Sequence, residues 1–431
     1  VRGEPQVCAK GNPGPGCRKP SEFSRYNDLV TIGDSNQPQA VSYRIEIKGA
    51  SDFINGNHSG IVFFDDGDTR YCESDESDFW IHGTPERPIR ISSKYHHNME
   101  FKGGCRTLVE YVDFGPSGNG RSDLMQPENA HIQQTGGVIH GSTMQNVIVR
   151  YSNFTLGGTA AEEFGNKGHY EIGLFGRGVD GACFPHNSHF RPWGALAIVG
   201  RINEVPHVKN VSIVNNAVAQ GWHMSTTNPA AVTSPYSGYL KSRVGLDGNF
   251  SIDIDGLAVD SASAPNGLLY GRKGAMFGFG DAPFSSDGVT MGSTVVDGLA
   301  SLFRSPGAGD YRPMSGSRLV GSAVPVARTT GAGNGTVVPV NRPECFAGRL
   351  GGMRSGDSVV IGNASCTVVN TNLQSSTITC SDPVSWASGD SIFYRNRDGI
   401  MRDIGSRSPS SPFGGIPPDG KRPNPPSLVT E

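Results

Sequence analysis

The chain has 431 residues, with 37 Lys plus Arg against 40 Asp plus Glu and a formal net charge of −3. That balance, without basic runs, excludes a general nucleic-acid surface, and no run of eighteen apolar residues offers a membrane span. The 59 Gly and 29 Pro, about a fifth of the sequence, exclude a helix-dominated fold because both penalise helix interiors, while 20 Phe and 12 Tyr exclude disorder throughout.

Residues 1–40 carry Cys8, Cys17, Pro13, Pro15 and Pro20 with little apolar periodicity, and read as a disulfide-stapled arm. Val1 reads as the start of a processed chain. From Val41 the texture changes to short alternating or apolar bursts broken by Gly, Asp and Pro, at 41–47, 60–64, 79–83 and 88–91. These are strand signals. The acidic turn holding Asp65, Asp66 and Asp68 offers hard oxygen ligands for calcium, although an acidic turn without a metal is the commoner use of such a run.

Five segments superimpose without gaps: 107–114, 147–154, 211–218, 250–257 and 292–299. Their ends are 40, 64, 39 and 42 residues apart, which predicts a coil with rungs of roughly twenty residues. In each, an alternating strand leads to a small or turn-forming residue (Asp113, Asn153, Ala217, Gly256, Gly298) and then an apolar one. Those residues are the predicted corners. The fold expected is therefore all-β, a right-handed parallel β-helix solenoid over 41–323; an antiparallel sandwich is the competing architecture. Residues 157–194 and 220–248 interrupt the rhythm after a repeat strand, and read as insertions walling a groove on one side.

Residues 310–313, 315–317 and 319–321, with 401–405 beyond them and the turn 83–89, resemble the closing and turning segments of extracellular parallel β-helix proteins of the pectin-lyase-like superfamily. The resemblance implies that fold. It also implies an activity among polysaccharide lyases and glycoside hydrolases, or a role as an adhesin or surface protein. Between the closing pieces, 324–395 reads as a small β module, because 356–361 and 389–393 repeat a turn-then-strand phrase. Residues 396–431 are a closing segment and a Pro- and Ser-rich tail.

The eight cysteines suggest local disulfides, Cys8 with Cys17, Cys72 with Cys105 and Cys366 with Cys380, hence a secreted, extracellular or cell-surface protein. Cys183, His186 and His189 form a compact set with metal-ligand chemistry, suited to a transition metal, while Cys183 pairing with Cys345 is the alternative. No cofactor is required by the sequence. Six Asn-x-Ser/Thr sequons, including those at Asn57, Asn153 and Asn210, allow glycosylation.

Hydrolysis needs clustered carboxylates, and Asp253, Asp255 and Asp260 lie on or beside one strand, with the first two sharing a face. The ordered signatures of polygalacturonase-type hydrolases are absent, so solvent-facing aspartates are the simpler reading. Elimination from a uronic-acid polymer needs a cation for the carboxylate and a base for the adjacent proton. Tyr239, Lys241 and Arg243 fall on one face of an extended segment and, with His189 and Arg191, are the catalytic candidates. Tyr170, Tyr236, His223 and Trp222 are the substrate-binding candidates. The expected function is a secreted carbohydrate-active protein, lyase before hydrolase, acting on a polysaccharide or cell-surface glycan. The alternative is a non-catalytic cell-surface or filament-forming structural or adhesive protein, with self-assembly as its partner interaction.

Overall fold

A computed structural model of the chain describes residues 30–32, 44–48, 53–56, 61–64, 78–86, 88–93, 99–102, 105–114, 132–135, 144–155, 170–175, 179–190, 194–199, 208–219, 250–260, 289–298, 302–305, 310–350, 353–396 and 399–411. The protein is all-β over these residues and contains three parallel sheets. The first takes Val30–Ile32, Ile61–Phe64, Met99–Lys102, Ile132–Thr135, Tyr170–Phe175 and Gly194–Val199. The second takes Arg44–Lys48, Asp78–His82, Cys105–Glu110, Met144–Arg150, Val179–Pro185, Val208–Val214, Phe250–Asp255 and Val289–Met291. The third takes Phe53–Gly56, Ile89–Ser93, Val112–Phe114, Asn153–Thr155, Ser188–Phe190, Ala217–Ala219, Leu257–Asp260 and Thr294–Asp297. The chain visits the sheets in that order, again and again. Parallel pairing throughout them is incompatible with an antiparallel sandwich for this part of the molecule.

The repeat is longer than the sequence suggested. Hydrogen-bonded equivalents stand 40 residues apart at Asp113 and Asn153, 35 at Ser152 and Asn187 and 29 at Asn187 and Asn216, so each pass holds up to three strands. Residues 157–194, expected to be an insertion, contain Tyr170–Phe175, Val179–Pro185 and Ser188–Phe190, one strand in each sheet. Val30–Ile32 likewise lies within the expected arm, yet pairs with Ile61–Phe64.

The chain turns from second sheet to third at Tyr111, Tyr151, His186, Asn215 and Gly256, whose φ values are 55, 52, 53, 57 and 61°. These left-handed residues are the corners. Of the predicted corners only Gly256 holds. Asp113, Asn153 and Ala217 lie inside third-sheet strands, and Gly298 follows one.

Equivalent positions stack on one another. Along the second sheet Val147, Ala182, Val211 and Ile252 form one buried column, paired strand to strand. In the third sheet the rings of Phe114 and Phe154 stack at 4.8 Å, and those of Phe154 and His189 at 4.7 Å. At the corner the Asn187 carboxamide accepts from the Ser152 N–H at 3.0 Å and donates to the Val149 carbonyl at 2.8 Å. Asn216 accepts from the Asn187 N–H at 3.1 Å and donates to Phe184. This ladder satisfies buried backbone groups that the turn leaves without sheet partners.

A second unit is antiparallel. Its strands lie in the order Ala327–Arg328, Ser391–Asn396, Asp357–Ile361, Ala364–Asn372, Thr377–Trp386 and Gly333–Pro339, with Gly399–Ile400 on Ser391–Asn396. A bridge between Thr329 and Val340 joins the outer strands and curls the sheet on itself. Cys366 and Cys380 form a disulfide, as expected. Before this unit, Asp310–Pro313 pairs antiparallel with Phe303–Ser305 rather than extending a parallel sheet. Leu302, Phe303, Tyr311, Leu319 and Ile404 pack there on Ala217 and Ala258.

Candidate binding site

Strand alternation gives the second sheet two faces. Val147 and Val149 belong to one, while Leu108, Ile148 and Cys183 on the other join a single apolar cluster with Phe346, Val359, Val368 and Tyr394 of the antiparallel unit. That unit therefore docks on the outer face of the second sheet. Three devices hold it there.

The first is a disulfide between Cys183 and Cys345, 162 residues apart. It corrects the reading of Cys183, His186 and His189 as metal ligands, because a disulfide sulfur offers no thiolate. The two imidazoles are also occupied elsewhere. His186 is buried, its Nδ1 lies 3.0 Å from the Asp403 carbonyl, and burial pushes its pKa down to about 4 against that hydrogen bond. His189 is stacked on Phe154 and its Nε2 lies 3.3 Å from Asn216. Among the described residues no group of three metal-ligating side chains converges.

The second device is a buried ionic network. Arg150 Nη2 meets Glu110 at 2.9 Å and Asp357 at 2.6 Å, and Arg354 also meets Asp357. Burial alone raises the pKa of Glu110 and Asp357, but Arg150 and Arg354 outweigh it and hold both carboxyls below their usual value. The Arg150 guanidinium lies over the Tyr394 ring at 4.7 Å, and the Tyr394 hydroxyl donates to the Cys345 carbonyl. Burial is the main cause raising the Tyr394 pKa, so that donor keeps its proton.

The third device lies at the far end of the interface. Asp253 and Asp255 do share a face, and both bind Arg342, at 2.7 and 3.1 Å. Both are ion-pair partners of the docked unit. Asp260 stands apart from them in the third sheet. Glu344 accepts from the Ser212 hydroxyl at 2.6 Å, and burial raises its pKa to about 7 despite that bond.

Docking leaves an opening of binding size among the described residues, between the sheet and the unit. This cavity of about 370 Å³ has a floor of Arg106, Thr107, Leu108, Asn146, Ile148 and Asp180, from three adjacent strands, and a wall of 346–350 and 370–374. Its polar side chains are two guanidinium ions (Arg106, Arg349), one carboxylate (Asp180), the hydroxyls of Thr107 and Thr371 and the carboxamides of Asn146, Asn370, Asn372 and Gln374. Asp180 already accepts from Asn210 at 2.7 Å, which fixes its orientation. Arg106, Asn146, Gly181 and Asn210 have φ of 41, 54, 88 and 51°, a column of left-handed residues at the start of successive strands. Gly181 suits its place, since a φ of 88° strains any other residue, and a Cβ there would also push aside the end of the Leu373 side chain in the wall.

None of the cavity's polar residues was singled out from sequence. A signal was present, since Arg106, Asn146 and Asn210 each stand immediately before a repeat segment, and Asn is a common left-handed residue. Of the catalytic candidates, Tyr239, Lys241, Arg243 and Arg191 lie outside the described residues, as do Tyr236, His223 and Trp222. Tyr170 begins a first-sheet strand. His189 is buried in its stack, away from the cavity lining. Cys8, Cys17, Cys72 and the residues 65, 66 and 68 proposed for calcium are outside the described residues, and Cys105 begins a second-sheet strand.

Compared with family models, curated proteins and solved structures, the chain matches none of them. Among the described residues two disulfides are present and no helix is long and apolar enough to cross a membrane, a combination compatible with an extracellular protein.

Proposed function

We propose that the protein is an extracellular polysaccharide-binding β-solenoid that takes a glycan chain into the cavity between its second parallel sheet and its docked antiparallel unit. In this reading the three parallel sheets are the faces of a right-handed coil, the connection sense that parallel crossovers favour. The observation that carries the proposal is the composition of the cavity. Planar carboxamides and guanidinium ions suit the paired hydroxyls of sugars, since each offers two hydrogen-bonding atoms at fixed spacing. Its volume of about 370 Å³ falls in the range of about 300–1,000 Å³ usual for ligand sites.

The floor adds a geometric reason for a polymer. Arg106 and Asn146 hold equivalent positions on neighbouring parallel strands and so repeat at about 4.8 Å along the sheet, while Asp180 stands one residue out of that register, beside Gly181 on the next strand. That interval is close to the length of one sugar residue in an extended glycan. A chain laid across the strands would present successive hydroxyls to Arg106 and Asn146, or a carboxylate to Arg106, with Asp180 accepting from a hydroxyl beside them. Lyase chemistry is the enzymatic form of the proposal, with Arg106 and Arg349 as cations for a uronate carboxylate.

Calorimetry with defined acidic and neutral oligosaccharides tests the binding, and absorbance of unsaturated products tests the lyase. Asn372→Ala or Arg349→Ala is expected to weaken the best ligand roughly tenfold, the loss of one hydrogen bond to a charged or bidentate group. Absence of binding across both ligand classes would sink the proposal.

A further inference from the structure

We propose that, among the described residues, the antiparallel unit is the part of the chain that is glycosylated, carrying N-linked glycans on Asn363 and Asn334, while the sequon at Asn153 stays unmodified in the folded protein. Four sequons have their Asn among the described residues, at Asn153, Asn210, Asn334 and Asn363. The structure sorts them by what each carboxamide does.

Asn153 is 4% exposed. Its Nδ2 donates to Asp113 at 2.6 Å and its Oδ1 accepts from the Ser406 hydroxyl. A glycan on that nitrogen would remove a buried donor and displace the 403–407 segment that packs over the corner. Chains modified there would not reach this fold. Asn210 is exposed, but its Nδ2 is bonded to Asp180 and the Ser212 hydroxyl of its sequon is buried against Glu344.

Asn363 is the opposite case. It occupies the second position of a two-residue hairpin loop whose flanking residues, Ile361 and Ala364, are paired. Gly362 supplies the left-handed conformation that such a loop needs, with φ of 56°. Asn363 is exposed and its carboxamide bonds to no described residue, while Ser365 is exposed beside it, its hydroxyl accepting from the surface guanidinium of Arg395 at 3.0 Å rather than being buried as that of Ser212 is. Asn334 is exposed on Gly333–Pro339, an outer strand of its sheet. Val337 on the same strand is 54% exposed. A bulky hydrophilic group three residues away would shield this strand from pairing with another chain, a role that outer strands usually give to charge or proline.

The co-reactant is an oligosaccharide carried on a polyprenyl diphosphate. The Asn Nδ2 forms a bond to sugar C1 as the bond from C1 to the diphosphate oxygen breaks, the nitrogen loses one proton, and the polyprenyl diphosphate leaves. No oxidation or reduction is involved.

The full chain, expressed in a eukaryotic secretory host, is mapped by peptide mass spectrometry after enzymatic glycan release in heavy-oxygen water, which labels each formerly occupied Asn. Material retained in the cell is mapped in the same way. Label is expected at Asn363 and Asn334 and not at Asn153 in protein with both disulfides formed. Asn363→Gln and Ser365→Ala are each expected to remove one glycan step from the gel mobility, because either destroys the same sequon. An unlabelled Asn363 in the folded protein, or a labelled Asn153, would overturn the proposal.

Discussion

The parallel sheets and the antiparallel unit solve the same problem, burying a face of strands, in different ways. In the parallel region each side chain is backed by its equivalent one repeat away, as Phe114, Phe154 and His189 are, so a load is shared along a column. In the antiparallel unit, and above all at its seam with the second sheet, single residues from distant parts of the chain meet once. Arg150 and Asp357 are 207 residues apart. Nothing equivalent stands above or below to replace either of them. The comparison predicts that the molecule is least tolerant at the seam.

The sharpest test is Asp357→Ala. It leaves Glu110 as the one carboxylate of the network against the two guanidinium ions of Arg150 and Arg354 and frees the Ala347 N–H, in a site where Arg150 and Asp357 are at most 3% exposed, and is expected to cost about 3–5 kcal/mol, since breaking a buried ion pair leaves charge uncompensated. The denaturant midpoint measures it. Replacing Arg150, Arg354, Glu110 and Asp357 together by apolar residues of similar volume is expected to recover part of that loss. A quadruple variant as unstable as Asp357→Ala would show that the seam needs charge rather than mere satisfaction. The double variant Cys183→Ser with Cys345→Ser ranks next, at about 2–5 kcal/mol, because its bond closes a very long loop. A column change should rank lower. Asn187→Ala frees the Ser152 N–H and the Val149 carbonyl and is expected to cost about 1–3 kcal/mol; a loss above that of Asp357→Ala would reverse the comparison.

What was legible in the sequence follows the same division. The segments 107–114 and 147–154 align as the strands pair, Thr107 with Val147 and Phe114 with Phe154, because β-branched and aromatic side chains fill their columns. The intervening repeat at 182–189 escaped notice since its columns hold Ala182, Cys183, Pro185 and His186, residues without strand preference. Further on, the match of 250–257 to 211–218 is two residues out of register, as Val211 pairs with Ile252. The likeness of Asp255–Ala258 to Asp297–Ala300 has a local cause. Each Asp accepts a hydrogen bond from the Gly N–H that follows it, yet Asp255 ends a second-sheet strand and Asp297 a third-sheet one. The cavity and the seam were illegible because their two halves are joined only by tertiary packing, which strand periodicity does not encode.

The seam also sets the smallest and most specific expectation, a pair of opposed pH dependences. Glu344 has a folded pKa raised to about 7 from 4.5, chiefly by burial. The folded state therefore holds the proton better than the unfolded state. Its contribution is fully present below pH 4.5 and is lost as pH rises toward and through 7. His186 has a folded pKa lowered to about 4 from 6.5, again by burial. Its contribution is present above pH 6.5 and lost as pH falls toward and through 4. The two windows overlap with opposite slopes, so in the parent protein they offset each other and stability changes little from this pair between pH 4.5 and 6.5. Removing one member exposes the other. The difference in unfolding free energy between the parent and Glu344→Gln should widen toward acid, because the rescue supplied by Glu344 is gone while the His186 penalty remains. With His186→Asn the difference should run the other way. Flat difference curves for both variants, measured by denaturant titration at several pH values, would mean that neither group titrates differently in the folded and unfolded chains.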